Sequence, residues 1–139
     1  MAFSIGELAR RADVKVPTIR YYEQIGLMPE TFRTEGQQRR YGKPAVARLA
    51  FIRHARELGF EVDAIRTLLL LQDEPDQPCA QADQIAKARL KEVDQRIASL
   101  NALRRELHKM IEGCACGRIG ECRVIETLAD QTHSHREWK

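Results

Sequence analysis

The sequence predicts a mainly α chain: a winged helix-turn-helix DNA-binding domain, followed by a long helix that pairs antiparallel with the same helix of a second copy. Three observations predict it. The chain opens with two short capped helical segments separated by a tight turn. Further on, Ala86, Leu90, Val93, Ile97, Leu100, Leu107 and Ile111 recur in alternating steps of four and three residues. Only Arg104 breaks this row, which is the stripe of a two-stranded coiled coil. Finally, a cysteine stands at the front of that stretch, Cys79, and three more at its back, Cys114, Cys116 and Cys122.

Ser4-Ile5-Gly6-Glu7 reads as a capping box, in which the Ser4 side chain caps a helix start and Glu7 reaches back. Ile5, Leu8, Ala9 and Ala12 share one side of this helix, which stops near Asp13. Pro17 suits the first position of a second helix, expected from Pro17 to Gln24 and ended by Gly26. Two such helices with a tight turn between them form a helix-turn-helix. The second carries Thr18, Arg20, Tyr21 and Tyr22, polar and basic enough to lie in a major groove.

Phe32-Arg33 and Arg39-Arg40-Tyr41 then flank Glu35-Gly36, a turn between two short strands that reads as a wing. Arg33, Arg39 and Arg40 are placed to reach phosphates, and Tyr41 to pack or to hydrogen-bond the backbone. Contacts of that kind fix position and affinity rather than sequence preference. Pro44 opens a third helix that runs to Leu58, with Val46, Leu49, Ala50, Ile52 (or Arg53) and Ala55 inward and Gly59 ending it. A fourth spans about Val62 to Leu71, with Ile65, Leu68 and Leu69 inward. Asp73-Glu74-Pro75-Asp76-Gln77-Pro78 is an acidic, proline-punctuated hinge. The expected parts are therefore residues 1–72 for DNA binding and coupling, 73–78 as hinge, 79–112 as dimerisation helix, and 113–139 as effector loop, short helix (123–129) and tail.

Charge is unevenly spread along the 139 residues. The first 60 hold eleven Lys and Arg against six Asp and Glu, the next 19 one against five, and the rest eleven against nine. A basic front half suits nucleic acid, although a solvated basic face is the plain alternative. No apolar run approaches the roughly 20 residues that span a bilayer, and no signal peptide is visible, so a cytoplasmic protein is expected. Four cysteines in that compartment point to metal or redox chemistry more than to structural disulfides.

A helix rising about 1.5 Å per residue separates Cys79 from Cys114 of one chain by about 50 Å, so the two cannot share a ligand within it. Antiparallel pairing centred near Ile97 brings Cys79 of one protomer beside Cys114 and Cys122 of the other, and gives two equivalent thiol sites in a twofold homodimer. Cys79 follows Pro78 at a positive helix end, which favours the thiolate that binds metal. Gly117 and Gly120 allow the cysteine loop to fold around an ion. Cys116 is a fourth ligand, a second layer around the ion, or a spectator. His133 and His135 join a second zinc or lie in a solvated tail, and His108 is a surface residue.

Several of these residues resemble the MerR (mercury-resistance regulator) family: Ile5-Gly6-Glu7-Leu8-Ala9, Thr18-Ile19-Arg20-Tyr21-Tyr22-Glu23 with Gly26-Leu27, Arg39-Arg40-Tyr41, and Arg56-Glu57-Leu58-Gly59-Phe60. The resemblance covers essentially the whole chain. It implies a dimeric, non-enzymatic regulator that binds double-stranded promoter DNA between badly spaced promoter elements and distorts it when effector binds, so that RNA polymerase can use the promoter. It also implies that Cys79, Cys114 and Cys122 are metal ligands. Sensors of monovalent ions in that family carry serine where this chain has Cys79, so the cysteine resembles the divalent branch for zinc, cadmium, lead or mercury. The chemistry agrees, because a third thiolate adds charge and a ligand that favour a divalent ion.

Three other readings remain, besides an aldehyde or thiol-stress sensor that uses one reactive cysteine. Cys114-x-Cys116-x5-Cys122 resembles part of the loop in the family's iron–sulfur, redox-sensing branch, but Ile111 stands where its first cysteine falls. A metal-sequestering protein that binds DNA incidentally is a second. A thiol enzyme is the third, and no cysteine in the sequence is paired with a positioned base or set in a CxxC motif.

Overall fold

Ser4 starts the first helix. The computed structural model, which describes residues 2–29, 32, 33, 39–113 and 117–132, places the Glu7 N–H 3.3 Å from the Ser4 hydroxyl that caps α1 (Ile5–Ala12). The other half of the expected capping box is replaced: the Glu7 carboxylate turns forward to Arg11, at 3.3 Å. The chain divides into two compact units, Met1–Ile85 and Ala86–Lys139.

The first unit holds α1, α2 (Val16–Gln24), β1 (Phe32–Arg33), β2 (Arg39–Arg40), α3 (Lys43–Glu57) and α4 (Val62–Gln72). Its core is Leu8, Ile19, Leu27, Met28, Leu49, Ile52, Ile65 and Leu69, all fully buried, with Tyr22 and Tyr41 beside them. Ile52, not Arg53, is the inward residue of α3 at that step. Leu68 is only half-buried, while Phe51, absent from the expected face, packs on the core.

Three of these helices end alike. Asp13, Gly26 and Gly59 take left-handed backbone, at φ 55, 82 and 84°. The next residue is apolar, and its N–H reaches back five residues: Val14 to Ala9 at 3.0 Å, Leu27 to Tyr22 at 2.9 Å, Phe60 to Ala55 at 3.0 Å. This is the closing bond of a Schellman-type terminus, which satisfies a carbonyl the helix leaves open and folds an apolar side chain onto the core. Glycine takes such backbone without steric cost, and aspartate is among the few other residues that tolerate it.

Guanidinium groups hold the same turns. Arg53 Nε donates to the Ala12 carbonyl (3.1 Å), Arg66 to the Ile25 carbonyl (2.9 Å), Arg48 Nε to the Leu27 carbonyl (2.7 Å) and Arg56 to the Phe60 carbonyl (2.9 Å). Cations at helix C-termini meet both the open carbonyls and the negative end of the helix dipole. α3 and α4 therefore fix the ends of α1 and α2 by charge as well as by packing.

The strands pair antiparallel, with Phe32 opposite Arg40 and Arg33 opposite Arg39. The turn expected at Glu35-Gly36 lies outside the described residues. Phe3 bridges to Tyr41 through two backbone hydrogen bonds, of 2.6 and 2.9 Å, and Arg11 lies 4.2 Å over the Phe3 ring. The segment after α4 is a run of turns, with the N–H groups of Glu74 and Gln77 each bonded three residues back.

α5 (Ala80–Glu112) is 33 residues long. In the second unit it is followed by a 3-10 turn (Ile119–Glu121) and α6 (Arg123–Ala129). The aliphatic row lies open along α5: Leu90, Ile97, Leu100, Leu107 and Ile111 are 48–65% exposed. Of the α6 residues expected to pack, Val124 is half-buried whereas Ile125 and Leu128 are exposed. Among the described residues no helix is long and apolar enough to cross a membrane.

Gly26 is where backbone and guanidinium demands coincide, since a Cβ there would stand 3.4 Å from Arg66 Nη1 and require a left-handed alanine. Gly26→Ala is expected to lower unfolding stability by about 1–2 kcal/mol, from the cost of left-handed backbone in a residue bearing a Cβ. Urea denaturation measures it, and an unchanged midpoint contradicts this role for the turn.

Candidate nucleic-acid interface and metal centre

α2 is the second helix of the helix-turn-helix. It starts with Pro17 in its first turn and no side-chain cap from Lys15. Ile19, completely buried, and Tyr22, 8% exposed, anchor its inner face. Arg20 and Tyr21 are exposed and Thr18 is half-buried, which leaves these three as the outward set.

Two sequence expectations need correction. Tyr22 is not a free groove-reading side chain: its ring is part of the core and sits 6.0 Å from that of Tyr21, tilted by 48°. Tyr21, 51% exposed, takes the outward place. Tyr41 is 1% exposed, and its hydroxyl donates to Glu23 Oε2 at 3.1 Å. Of the two roles expected for it, packing is the one realised: it ties the base of the wing to α2. Arg40 is half-buried. Arg33 and Arg39 belong to the strand backbone, and their side chains lie outside the described residues.

Sequence reasoning also overlooked Arg56. It lines a cleft of about 360 Å³ together with Pro17, Thr18, Tyr21, Tyr22 and Val62. Its hydrogen bond to the Phe60 carbonyl holds it against the turn that follows α3. The signal was present in Arg56-Glu57-Leu58-Gly59-Phe60, where a glycine-terminated helix end places a cation in its last turn.

The thiols form the second candidate site. Cys79 is exposed and stands at the head of α5, where its carbonyl accepts the Asp83 N–H at 2.9 Å. Cys122 is half-buried. Its N–H donates to the Ile119 carbonyl and its carbonyl accepts from Glu126, both at 3.0 Å. Neither is in a disulfide, and each occupies the residue from which a helix begins. Cys114, Cys116, His133 and His135 lie outside the described residues, and His108 is exposed on α5, as expected. No three His, Cys, Asp or Glu residues are grouped to hold a metal among the described residues of the single chain. The donor chemistry fits a soft or borderline ion, since cysteine sulfur, supplied here by Cys79 and Cys122, is the ligand such ions select.

Tyr21→Ala is expected to weaken binding to duplex DNA while leaving stability within about 0.5 kcal/mol, the usual range for an exposed site. Tyr22→Ala removes a buried ring and is expected to cost about 3 kcal/mol. DNA titration paired with urea denaturation separates the two, and a stable Tyr22→Ala protein that fails to bind DNA reverses the assignment.

Two family models match the chain: "MerR HTH family regulatory protein" over residues 3–72 and "MerR, DNA binding" over residues 46–110. The HTH-type transcriptional regulator ZntR of Escherichia coli (strain K12) is 42% identical over 130 residues, which span 91% of this chain and 92% of that one. The mercuric resistance operon regulatory protein of Bacillus cereus is 39% identical over 129 residues, 92% and 98% of the two chains. The transcription regulator PbrR691 from Ralstonia metallidurans CH34, crystallised with lead(II), shares the fold with a TM-score of 0.80. It is 38% identical and covers 91% of this chain and 99% of that one.

Proposed function

The chain belongs to the MerR family of helix-turn-helix transcription regulators, and from that premise we propose that it is a divalent-metal sensor acting as a homodimer on promoter DNA. The observation that carries the reading is a free, exposed Cys79 heading a helix whose aliphatic row is itself uncovered. Antiparallel pairing of two α5 helices covers that row and sets Cys79 of one protomer beside Cys114 and Cys122 of its partner. These three sulfurs would hold zinc, cadmium, lead or mercury. Support for ions of this class comes from the lead(II) bound by PbrR691 and from the mercuric resistance operon regulator. Cys116, His133 and His135 are further candidate donors.

On DNA, Arg20, Thr18 and Tyr21 of each α2 enter successive major grooves, and Arg33, Arg39 and Arg40 of the wing meet flanking phosphates. Arg56 borders the same cleft as Thr18 and Tyr21 and adds a phosphate contact there. Binding of an ion ties the end of one α5 to the loop of the other, and the turns at residues 73–78 pass this constraint to the DNA-binding unit. Bending or untwisting the promoter costs about 1–6 kcal/mol on elastic estimates, against a coupling between two sites of typically about 1–3 kcal/mol. Linkage then requires that distorted promoter DNA tighten metal binding by the same factor. RNA polymerase reads the corrected promoter, in the cytoplasm, and the controlled genes serve metal efflux or resistance.

Run-off transcription tests this with reduced, metal-free protein titrated with each ion and sulfur–metal charge-transfer absorbance read alongside. Cys79→Ser is expected to abolish the response to divalent ions while DNA affinity stays as in the parent. A full response to zinc, cadmium and lead in that variant contradicts the proposal.

A further inference from the structure

The loop that carries three of the four cysteines spans residues 114–122, and the two residues flanking it are in contact. Gly113 ends the α5 spiral, its N–H bonded to the Lys109 carbonyl at 3.1 Å. Arg123 is the first residue of α6. A Cβ built on Gly113 would stand 2.7 Å from Arg123 Cγ, 3.1 Å from Cδ and 3.2 Å from Cβ. These three atoms are the root of the arginine stem, so the clash cannot be relieved by swinging a flexible tip. Only a hydrogen fits between the Gly113 backbone and the Arg123 stem.

The other glycines of the loop face no such demand. At Gly117 and Gly120 an added Cβ meets nothing within 4 Å. The second half of the loop has its own support, with Glu121 bonded to the Arg118 carbonyl and Cys122 to the Ile119 carbonyl, both at 3.0 Å. Among the described glycines at this loop, close approach is thus confined to Gly113, where the chain leaves α5.

We infer that Gly113 and the aliphatic stem of Arg123 form a clasp that fixes the span of the cysteine loop and so sets which ion it holds. Both are positioning residues, and the inference rests on the metal-sensing reading above. Cys114 follows Gly113 and Cys122 precedes Arg123, so chain continuity ties the two thiols to the two sides of the contact. A clasp closed to hydrogen contact keeps the two ends of the loop close together, which suits an ion with short bonds, and Zn–S bonds are only about 2.3 Å long. Lead(II) is larger and makes longer bonds to sulfur, so widening the loop harms zinc more than lead. The guanidinium of Arg123 plays no part in the clasp, because the contact is made by carbon.

The test is competitive titration of the full-length protein with Zn(II) and Pb(II), using the parent, Gly113→Ala, Arg123→Ala, Arg123→Met and the double variant Gly113→Ala/Arg123→Ala. Gly113→Ala is expected to lose about tenfold or more in zinc affinity, the scale on which supporting residues act on metal sites, and clearly less for lead. The double variant, with the stem gone, is expected to bind zinc as Arg123→Ala does, which is the non-additivity of a direct contact. Arg123→Met keeps the stem and is expected to bind like the parent, so the test survives if Gly113→Ala does not fold. Equal losses for the two ions, additive effects in the double variant, or a Met variant as weak as Ala overturns the clasp. If the parent binds neither ion, the metal-sensing reading fails before the clasp is reached.

Discussion

An α-helix of 33 residues cannot bury its own aliphatic stripe, and the organisation of this chain follows from that constraint. Leu90, Ile97, Leu100, Leu107 and Ile111 remain about half or more exposed in the single chain. Helices owe most of their stability to packing of an apolar face rather than to intrinsic propensity. A second copy is the occupant whose stripe has the same length and period. Antiparallel pairing joins unlike ends of the two helices, and the proposed metal site rests on that pairing.

The DNA-binding unit is organised by a different force. Three helices end in a left-handed residue, an apolar residue folded inward, and a guanidinium placed on or next to the final carbonyls. This changes the meaning of the basic front half. Arg48 and Arg53 count toward its positive charge, yet both donate to backbone carbonyls inside the fold. The cations that remain for phosphate are fewer: on the described surface Arg20 is exposed on α2, and Arg56, exposed although it donates to the Phe60 carbonyl, lines the cleft with Thr18 and Tyr21.

Much of the architecture was legible because its punctuation is local. Ser4, Pro17, Pro44, Gly26 and Gly59 mark helix ends by steric and hydrogen-bonding rules that need no tertiary knowledge, and the segment 123–129 was readable from its apolar spacing. Cys79 at the head of α5 was legible from Pro78 and the start of the periodic row. The side-chain assignments that went astray depend on distant parts of the chain. Tyr21 and Tyr22 are neighbours of equal size, and the inward one is settled by its packing with the core around Ile19, Leu27 and Leu49. Tyr41 is buried because Phe3, far away in sequence, pairs with it as a strand would. The Gly113–Arg123 contact joins residues on either side of a loop and leaves no trace in local composition.

The cross-chain cage is tested most directly by mixing two crippled protomers, one carrying Cys79→Ser and the other Cys114→Ser with Cys122→Ser. In each homodimer every site lacks at least one of its three sulfurs. A mixed dimer contains one complete set, Cys79 from the second protomer with Cys114 and Cys122 from the first. Metal titration of the purified mixed dimer is predicted to give one tightly bound divalent ion per dimer, with sulfur–metal charge-transfer absorbance. Absence of any restored site contradicts the account, as does full binding by either homodimer alone.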